Sequence, residues 1–285
     1  MADTLAPTLH FARDWPFRAD GAPLLMGVLN LTPNSFSDGG SYASLDEELT
    51  RARAMAAEGA DILDVGGEST HPAAAPVSAE EEQARVLPAL RRLAAESPVP
   101  LSIDTYRAST ARKALDLGVS IVNDVWGLQR DPDIAAVVAD YGAAVCIMHN
   151  RTGFDPALDV FGEMQRFFDR SLEIATRSGI ARAKIVLDPG IGFGKTFDQN
   201  VQVLARLDRL AGYGLPLLVG ASRKGFIGRI TGRAVPVERL AGSLAAHMAA
   251  VQNGAAIIRA HDIAAHRDML AMAAALKTQT AEPRT

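Results

Sequence analysis

The stretch 184–197, KIVLDPGIGFGKTF, carries a Gly-Lys-Thr triplet of the kind that closes a phosphate-binding loop. Such a loop needs a glycine five positions before the glycine of that triplet. Counting back from Gly194 lands on Pro189, which has no N–H to offer a phosphate and a fixed φ. What remains is Asp188 at the tip of an apolar run, followed by glycines that allow close backbone approach to a flat or anionic ligand. Polar residues close seven other apolar runs in the same way: Asn30, Asp64 with Glu68 just beyond, Asp104, Asn123, His149, Ser222, and Arg259 with His261. Buried carboxylates and amides need partners, so a ring of them at one mouth implies a polar ligand.

Several chemistries fail against this ring. A metal-dependent amidohydrolase wants His-x-His after the first strand, where the chain has only Asn30, and the six histidines lack zinc-site spacing. A Schiff-base aldolase wants a desolvated lysine inside a strand, whereas Lys195 and Lys224 sit in glycine-containing loops and are expected to stay charged. No G-x-S-x-G elbow occurs. The surviving set has acceptors (Asp104, Asp188), amides (Asn30, Asn123) and cations (Arg223, Lys224, Arg259). It suits a planar heterocycle with N–H donors on one edge and an anionic group elsewhere.

The elements that must position these residues recur as a phrase: an amphipathic helix, a glycine, then a short apolar run ending in a polar residue. Gly59, Gly118, Gly142, Gly179, Gly214 and Gly254 stand where a helix end takes a left-handed residue. Ser44 with Glu47, and Ser78 with Glu81, read as capping boxes. The eight apolar runs are too continuously apolar for one-sided strands and alternate with helical patterns, which predicts a parallel (β/α)8 barrel. A doubly wound open sheet is the alternative, but NLTPNSFSDGG after the first strand is not its glycine-rich turn. Residues 1–22 are expected to form an extension, a hairpin under the barrel floor, with the barrel spanning 23–277 and a polar tail at 278–285. No linker divides the chain.

With 285 residues, 48% of them hydrophobic, the chain can bury roughly three quarters of its unfolded surface as one domain. A net charge of −4 without a polybasic run argues against nucleic acid or an anionic membrane as partner. The single Cys146 lies in an apolar run and suits a reducing compartment. No signal-peptide pattern or membrane-length apolar stretch is present, so the expected location is the cytoplasm.

The segments VLNLTPNSFSDGG, ILDVGGESTHP, SIDT, IVNDV, MHN, LDPGIGFGKT, GASRKGFIG and RAHD, in this order, resemble dihydropteroate synthase across nearly the whole chain after residue 20. The resemblance implies a pterin-binding (β/α)8 barrel of folate biosynthesis. The family joins 6-hydroxymethyl-7,8-dihydropterin pyrophosphate to p-aminobenzoate with the help of Mg2+, is the target of sulfonamides, and forms homodimers. It implies pterin contacts from Asp104, Asn123, Met148, Asp188, Phe193 and Lys224, and p-aminobenzoate contacts from Phe36, Thr70, Pro72 and Ser222. Asn30, Arg259 and His261 match the pyrophosphate site, Asn30 also the metal. Asp104, Lys224 and Asp38 match residues tied to catalysis, Phe36 and Asp38 lying in the loop that folds over the substrates. His71 and Ala73 depart from the family's usual Arg and Gly, and an always-charged fork is thereby replaced by a largely neutral ring. The resemblance leaves two other readings to exclude: a pterin-dependent methyltransferase, and a pterin-binding paralogue without turnover.

Overall fold

The structure is a computed structural model that describes residues 14–31, 42–68 and 76–280. Its strands are β1 (Leu24–Asn30), β2 (Ile62–Gly66), β3 (Leu101–Asp104), β4 (Ile121–Asp124), β5 (Ala144–Met148), β6 (Ile185–Asp188), β7 (Leu217–Val219) and β8 (Ala255–Ala260). Each pairs in parallel with its sequence neighbours and β1 closes on β8, so the sheet is a closed barrel and the open-sheet alternative is excluded.

The helices are α1 (Tyr42–Ala57), α2 (Ala79–Glu96), α3 (Ala108–Asp116), α4 (Ile134–Asp140), α5 (Val160–Arg177), α6 (Phe197–Ala205), α7 (Gly225–Thr231), α8 (Leu240–Gln252) and α9 (Ile263–Thr280). The six glycines read as helix stops all have positive φ. Ser78 caps α2 by accepting from the Glu81 N–H at 3.1 Å, while the Glu81 carboxylate pairs with Arg85 instead of returning to the cap. Ser44 lies within α1 rather than ahead of it, because the helix starts at Tyr42. A complete capping box opens α6, where Thr196 and Gln199 exchange hydrogen bonds. α9 runs through Thr280, three residues into the stretch that composition assigns to the tail.

Strand periodicity divides the core in two. Outward-facing residues such as Leu25, Leu63, Val122 and Leu187 pack against the helices. Inward-facing Leu24, Met26, Ile62, Ile121, Ala144, Cys146, Val186, Leu218 and Ile257 fill the lower bore. Trp15 joins that inner cluster and its indole N–H donates to Lys184 O at 2.8 Å, so the described part of the N-terminal extension plugs the floor. Residues 14–23 contain no strand, and 1–13 lie outside the described residues. Cys146 is buried in the same cluster, and burial pushes its thiol well up.

Candidate active site

Moving up the bore, the inward positions change from apolar to polar within two residues: Ile62 to Asp64, Ile121 to Asn123, Val186 to Asp188, Ile257 to Arg259. The register sets Asp104 beside Asn123 and Met148 beside Asp188. Above them opens a cavity of about 820 Å3, bounded by Asn30, Asp104, Asn123, Met148, Asp188, Phe193, Ser222, Lys224, Arg259 and His261 among others. Every residue to which the family resemblance gave a site role and that lies among the described residues therefore lines one space. Phe36, Asp38, Thr70 and Pro72, with His71 and Ala73, lie outside the described residues. The flanks of the 69–75 segment are held by Arg107, whose Nη1 donates to Glu68 at 2.6 Å and Nη2 to Val77 O at 2.5 Å.

At the bottom of the cavity Arg259 donates from Nε to Asp64 Oδ2 at 2.7 Å and from Nη2 to Asp104 Oδ2 at 2.8 Å. Asn123 Nδ2 donates to the same Asp64 oxygen at 2.9 Å. Burial pushes the Asp104 carboxyl up to about 7, against the pull of Arg259. Arg259 is raised further despite the burial that opposes its charge, because Asp64 and Asp104 hold it. Asn123 Oδ1 and Asp64 Oδ1 are buried and have no hydrogen-bond partner among the described residues. Buried acceptors of this kind call for N–H donors.

On the β6 side, Asp188 Oδ1 accepts from Gly190 N–H at 2.7 Å, and burial raises its pKa against that bond and the nearby lysines. Lys224 Nζ bonds Ile191 O and sits 4.3 Å from the centre of the Phe193 ring. Burial lowers Lys224 to about 8, with Asp188 opposing. On the β8 side, His261 Nδ1 is 2.9 Å from Ser222 Oγ, and burial together with Arg259 lowers this imidazole to about 3. The site thus presents carboxylates and amides at its floor, a cation over an aromatic wall, and a guanidinium with a neutral imidazole opposite. Such a site can take an N–H-rich planar ring at depth and an anion near Arg259.

The family model for pterin binding enzymes matches residues 26–261. The dihydropteroate synthase of Bacillus subtilis is 45% identical over 240 residues, 84% of each chain. The solved dihydropteroate synthase of Clostridium difficile, determined in the presence of pteroic acid, superposes with a TM-score of 0.88 at 44% identity, covering 92% of this chain and 98% of that one. That of Xanthomonas albilineans with 4-aminobenzoic acid gives a TM-score of 0.86 at 42% identity, covering 92% and 94%. The chain belongs to the dihydropteroate synthase family.

Two residues of the polar ring do not face the mouth of this synthase barrel. His149 follows Met148, so strand alternation turns it outward, where it lies fully buried with its ring 4.9 Å from that of Phe167. Glu68 turns to Arg107, whereas Arg223 borders the cavity while its guanidinium forks onto Asp262. Lys195 is not a solvated loop lysine: it is 3% exposed, and its ammonium reaches His149 Nδ1 at 2.7 Å, Gly190 O at 2.9 Å and Phe193 O at 3.2 Å. Burial lowers it to about 7, and three acceptors match its three donors. Two of the loop glycines also serve the protein before any ligand. A Cβ at Gly190 would strike the His149 carbonyl, and one at Gly194 the Arg151 backbone. Asp64 carries no assigned role in the sequence reading; its position in mid-strand, among apolar neighbours, was the available signal.

Proposed function

We propose that this chain condenses 6-hydroxymethyl-7,8-dihydropterin pyrophosphate with p-aminobenzoate to give 7,8-dihydropteroate and pyrophosphate, as an enzyme of folate biosynthesis. The observation that carries this reading is the single cavity uniting Asp188, Asn123 and Asp104 with Lys224, Arg259 and His261. Asp188 and Asn123 accept the N–H edge of the pterin, and Phe193 with Lys224 covers its face. Ser222 lies beside p-aminobenzoate, a role that the family resemblance also gives to Phe36, Thr70 and Pro72. The methylene C–O bond breaks and positive charge spreads into the electron-rich ring, where the ionised Asp104 stabilises it. The aniline nitrogen then forms the C–N bond and releases its proton to solvent, so no strong base is required. Arg259 shifts from its carboxylate partners to the departing pyrophosphate, and neutral His261 donates to it.

Mg2+ is part of the proposal. No group of three or more His, Cys, Asp or Glu residues among the described residues forms a metal cage. That suits a cation held mainly by substrate phosphates and water with one protein oxygen. Asn30, at the end of β1 on the cavity wall, fits that single-oxygen role. When bound, Mg2+ neutralises charge on the leaving group.

The chain is further proposed to act in the cytoplasm as a homodimer. No described helix is long and apolar enough to cross a membrane. Support for the dimer comes from the exposed large apolar side chains Ile230 on α7, Val237 just before α8, and Met272 and Leu276 on α9. Light scattering after size exclusion tests that part, and a monomer at micromolar concentration rejects it. The function is tested by incubating the protein with dihydropterin pyrophosphate, p-aminobenzoate and Mg2+ and following pyrophosphate and dihydropteroate. Pterin binding without product would support the non-catalytic reading, and methyl transfer would support the methyltransferase.

A further inference from the structure

Between β7 and β8 the backbone makes a turn, residues 221–224, that delivers Ser222 and Lys224 to the cavity. Arg223 at its centre has φ 59°, a left-handed value that a side-chain-bearing residue rarely adopts. Something must hold it there. Two side chains of α8, one helical turn apart, reach the backbone of this turn. Ser243 Oγ accepts from Arg223 N–H at 2.9 Å and donates to Arg239 O at 2.8 Å, while Arg239 Nη1 donates to Arg223 O at 2.9 Å. His247 Nε2 accepts from Ala221 N–H at 2.9 Å.

The His247 bond extends into a chain with only one consistent proton arrangement. A backbone N–H at one end can only donate, so Nε2 of His247 is bare and its proton lies on Nδ1. That Nδ1 is 2.8 Å from His266 Nε2, which must accept and is bare in turn. The His266 proton therefore lies on Nδ1, 2.7 Å from Asp262 O, a carbonyl that can only accept. Both rings are neutral. Burial holds His247 well below its ordinary value, with His266, Lys224 and His261 adding, and burial also lowers His266 against Asp262. Asp262 closes the circuit, because its carboxylate takes the Arg223 guanidinium through Nε at 3.0 Å and through Nη2. Ser222 Oγ accepts from His261 N–H at 3.3 Å. The β7 and β8 loops are thus bound into one unit from behind.

We propose that His247 and Ser243 of α8 are positioning residues for the synthase reaction, fixing the strained 221–224 turn that sets Ser222 and Lys224 in place. The proposal rests on the functional reading above. Neither residue touches the cavity, and the sequence reading gave no role to either.

The test compares His247→Leu, which loses the acceptor, with His247→Gln, which keeps one, and with Ser243→Ala. The KM for p-aminobenzoate should rise about tenfold in His247→Leu, the factor that 1.4 kcal/mol represents, because a buried N–H is left without a partner. Affinity for a pterin lacking the pyrophosphate, which rests mainly on Asp188 and Asn123, should change by less than about threefold, under half that free energy. His247→Gln should recover most of the loss. A folded His247→Leu with unchanged KM, or with fewer active sites at normal KM, would overturn the proposal. If His247→Leu does not fold, Ser243→Ala decides, with an expected rise of about threefold for one lost hydrogen bond and rejection if KM stays put. Nitrogen-15 NMR of the wild type separates this from the function. Both rings should be neutral Nδ1–H tautomers from pH 5 to 8. An Nε2–H tautomer at His247, or titration of either ring near the ordinary 6.5, sinks the brace whether or not the enzyme makes dihydropteroate. Absence of product from the wild type sinks the functional reading and leaves the tautomer result standing.

Discussion

The lower and upper halves of the bore are built from the same strands, two residues apart, yet they do opposite work. Below, Leu24, Ile62, Ile121, Val186 and Ile257 pack above the Trp15 indole in an almost wholly apolar layer. Above, the next inward positions on four of those strands are Asp64, Asn123, Asp188 and Arg259; the first three are buried, and burial works against the charge of Asp188. The floor gains stability from burial, while the mouth gives it up to hold a ligand. A short barrel strand is long enough for one residue of each kind, so fold and function are separated by a single step of the pleat.

The largest effect is expected where this division breaks down. Arg259 sits in the mouth but also neutralises Asp64 and Asp104, so Arg259→Ala should cost stability as well as turnover. Breaking a buried pair costs about 3–5 kcal/mol, and loss of the anion contact takes about 2–4 kcal/mol from kcat/KM. Unchanged melting together with unchanged kinetics would remove Arg259 from both roles. Trp15→Ala is the pure floor case. It should lower stability by about 3–5 kcal/mol with KM values intact, and a changed pterin affinity would show that floor and mouth are coupled.

Asp188→Asn is the pure mouth case. The amide turns a donor toward a donor, which should cost about 2–5 kcal/mol of pterin binding with the melting temperature unchanged or higher. Calorimetry and thermal melting on the same sample measure both, and near-normal affinity would make Asp188 a rim residue.

The smallest and most diagnostic effect is on pH. Asp104 is raised to about 7, and only its ionised form supports a cationic pterin, so kcat/KM should fall as pH drops through about 7. Stability should run the other way. A carboxyl raised in the folded state contributes stability that is fully present below its unfolded value and lost as pH rises through the folded one. Asp104→Asn should flatten both profiles between pH 5 and 8, and a wild-type activity profile flat across 7 would dismiss the assignment.

The fold was legible because each apolar run ends in a polar residue and most of the helical stretches stop at a glycine, local signals that agree with one another. The site residues on β3, β4 and β6 were legible for the same reason, since their inward parity follows from the run itself. His149 was misread because it lies one residue past the end of β5, and one residue reverses which face a side chain takes. The burial of Lys195 was not legible because nothing local distinguishes a loop lysine in water from one folded back on its own turn; its partners His149 and Gly190 come together only through strand pairing. The α8 brace was invisible for a related reason. Ser243 and His247 sit in a mostly apolar helix, and their partners are backbone groups, which carry no sequence signature.

The chain has only two tryptophans, and the barrel puts them at opposite ends. Trp15 is sealed in the floor, while Trp126, three residues beyond Asn123, is half-buried with the Arg130 guanidinium 4.7 Å from its ring centre. The molecule therefore carries its own optical reference and its own optical sensor. A ligand settling against β4 should change the emission of one indole and leave the other as an internal standard, so occupancy can be followed by light without attaching a dye.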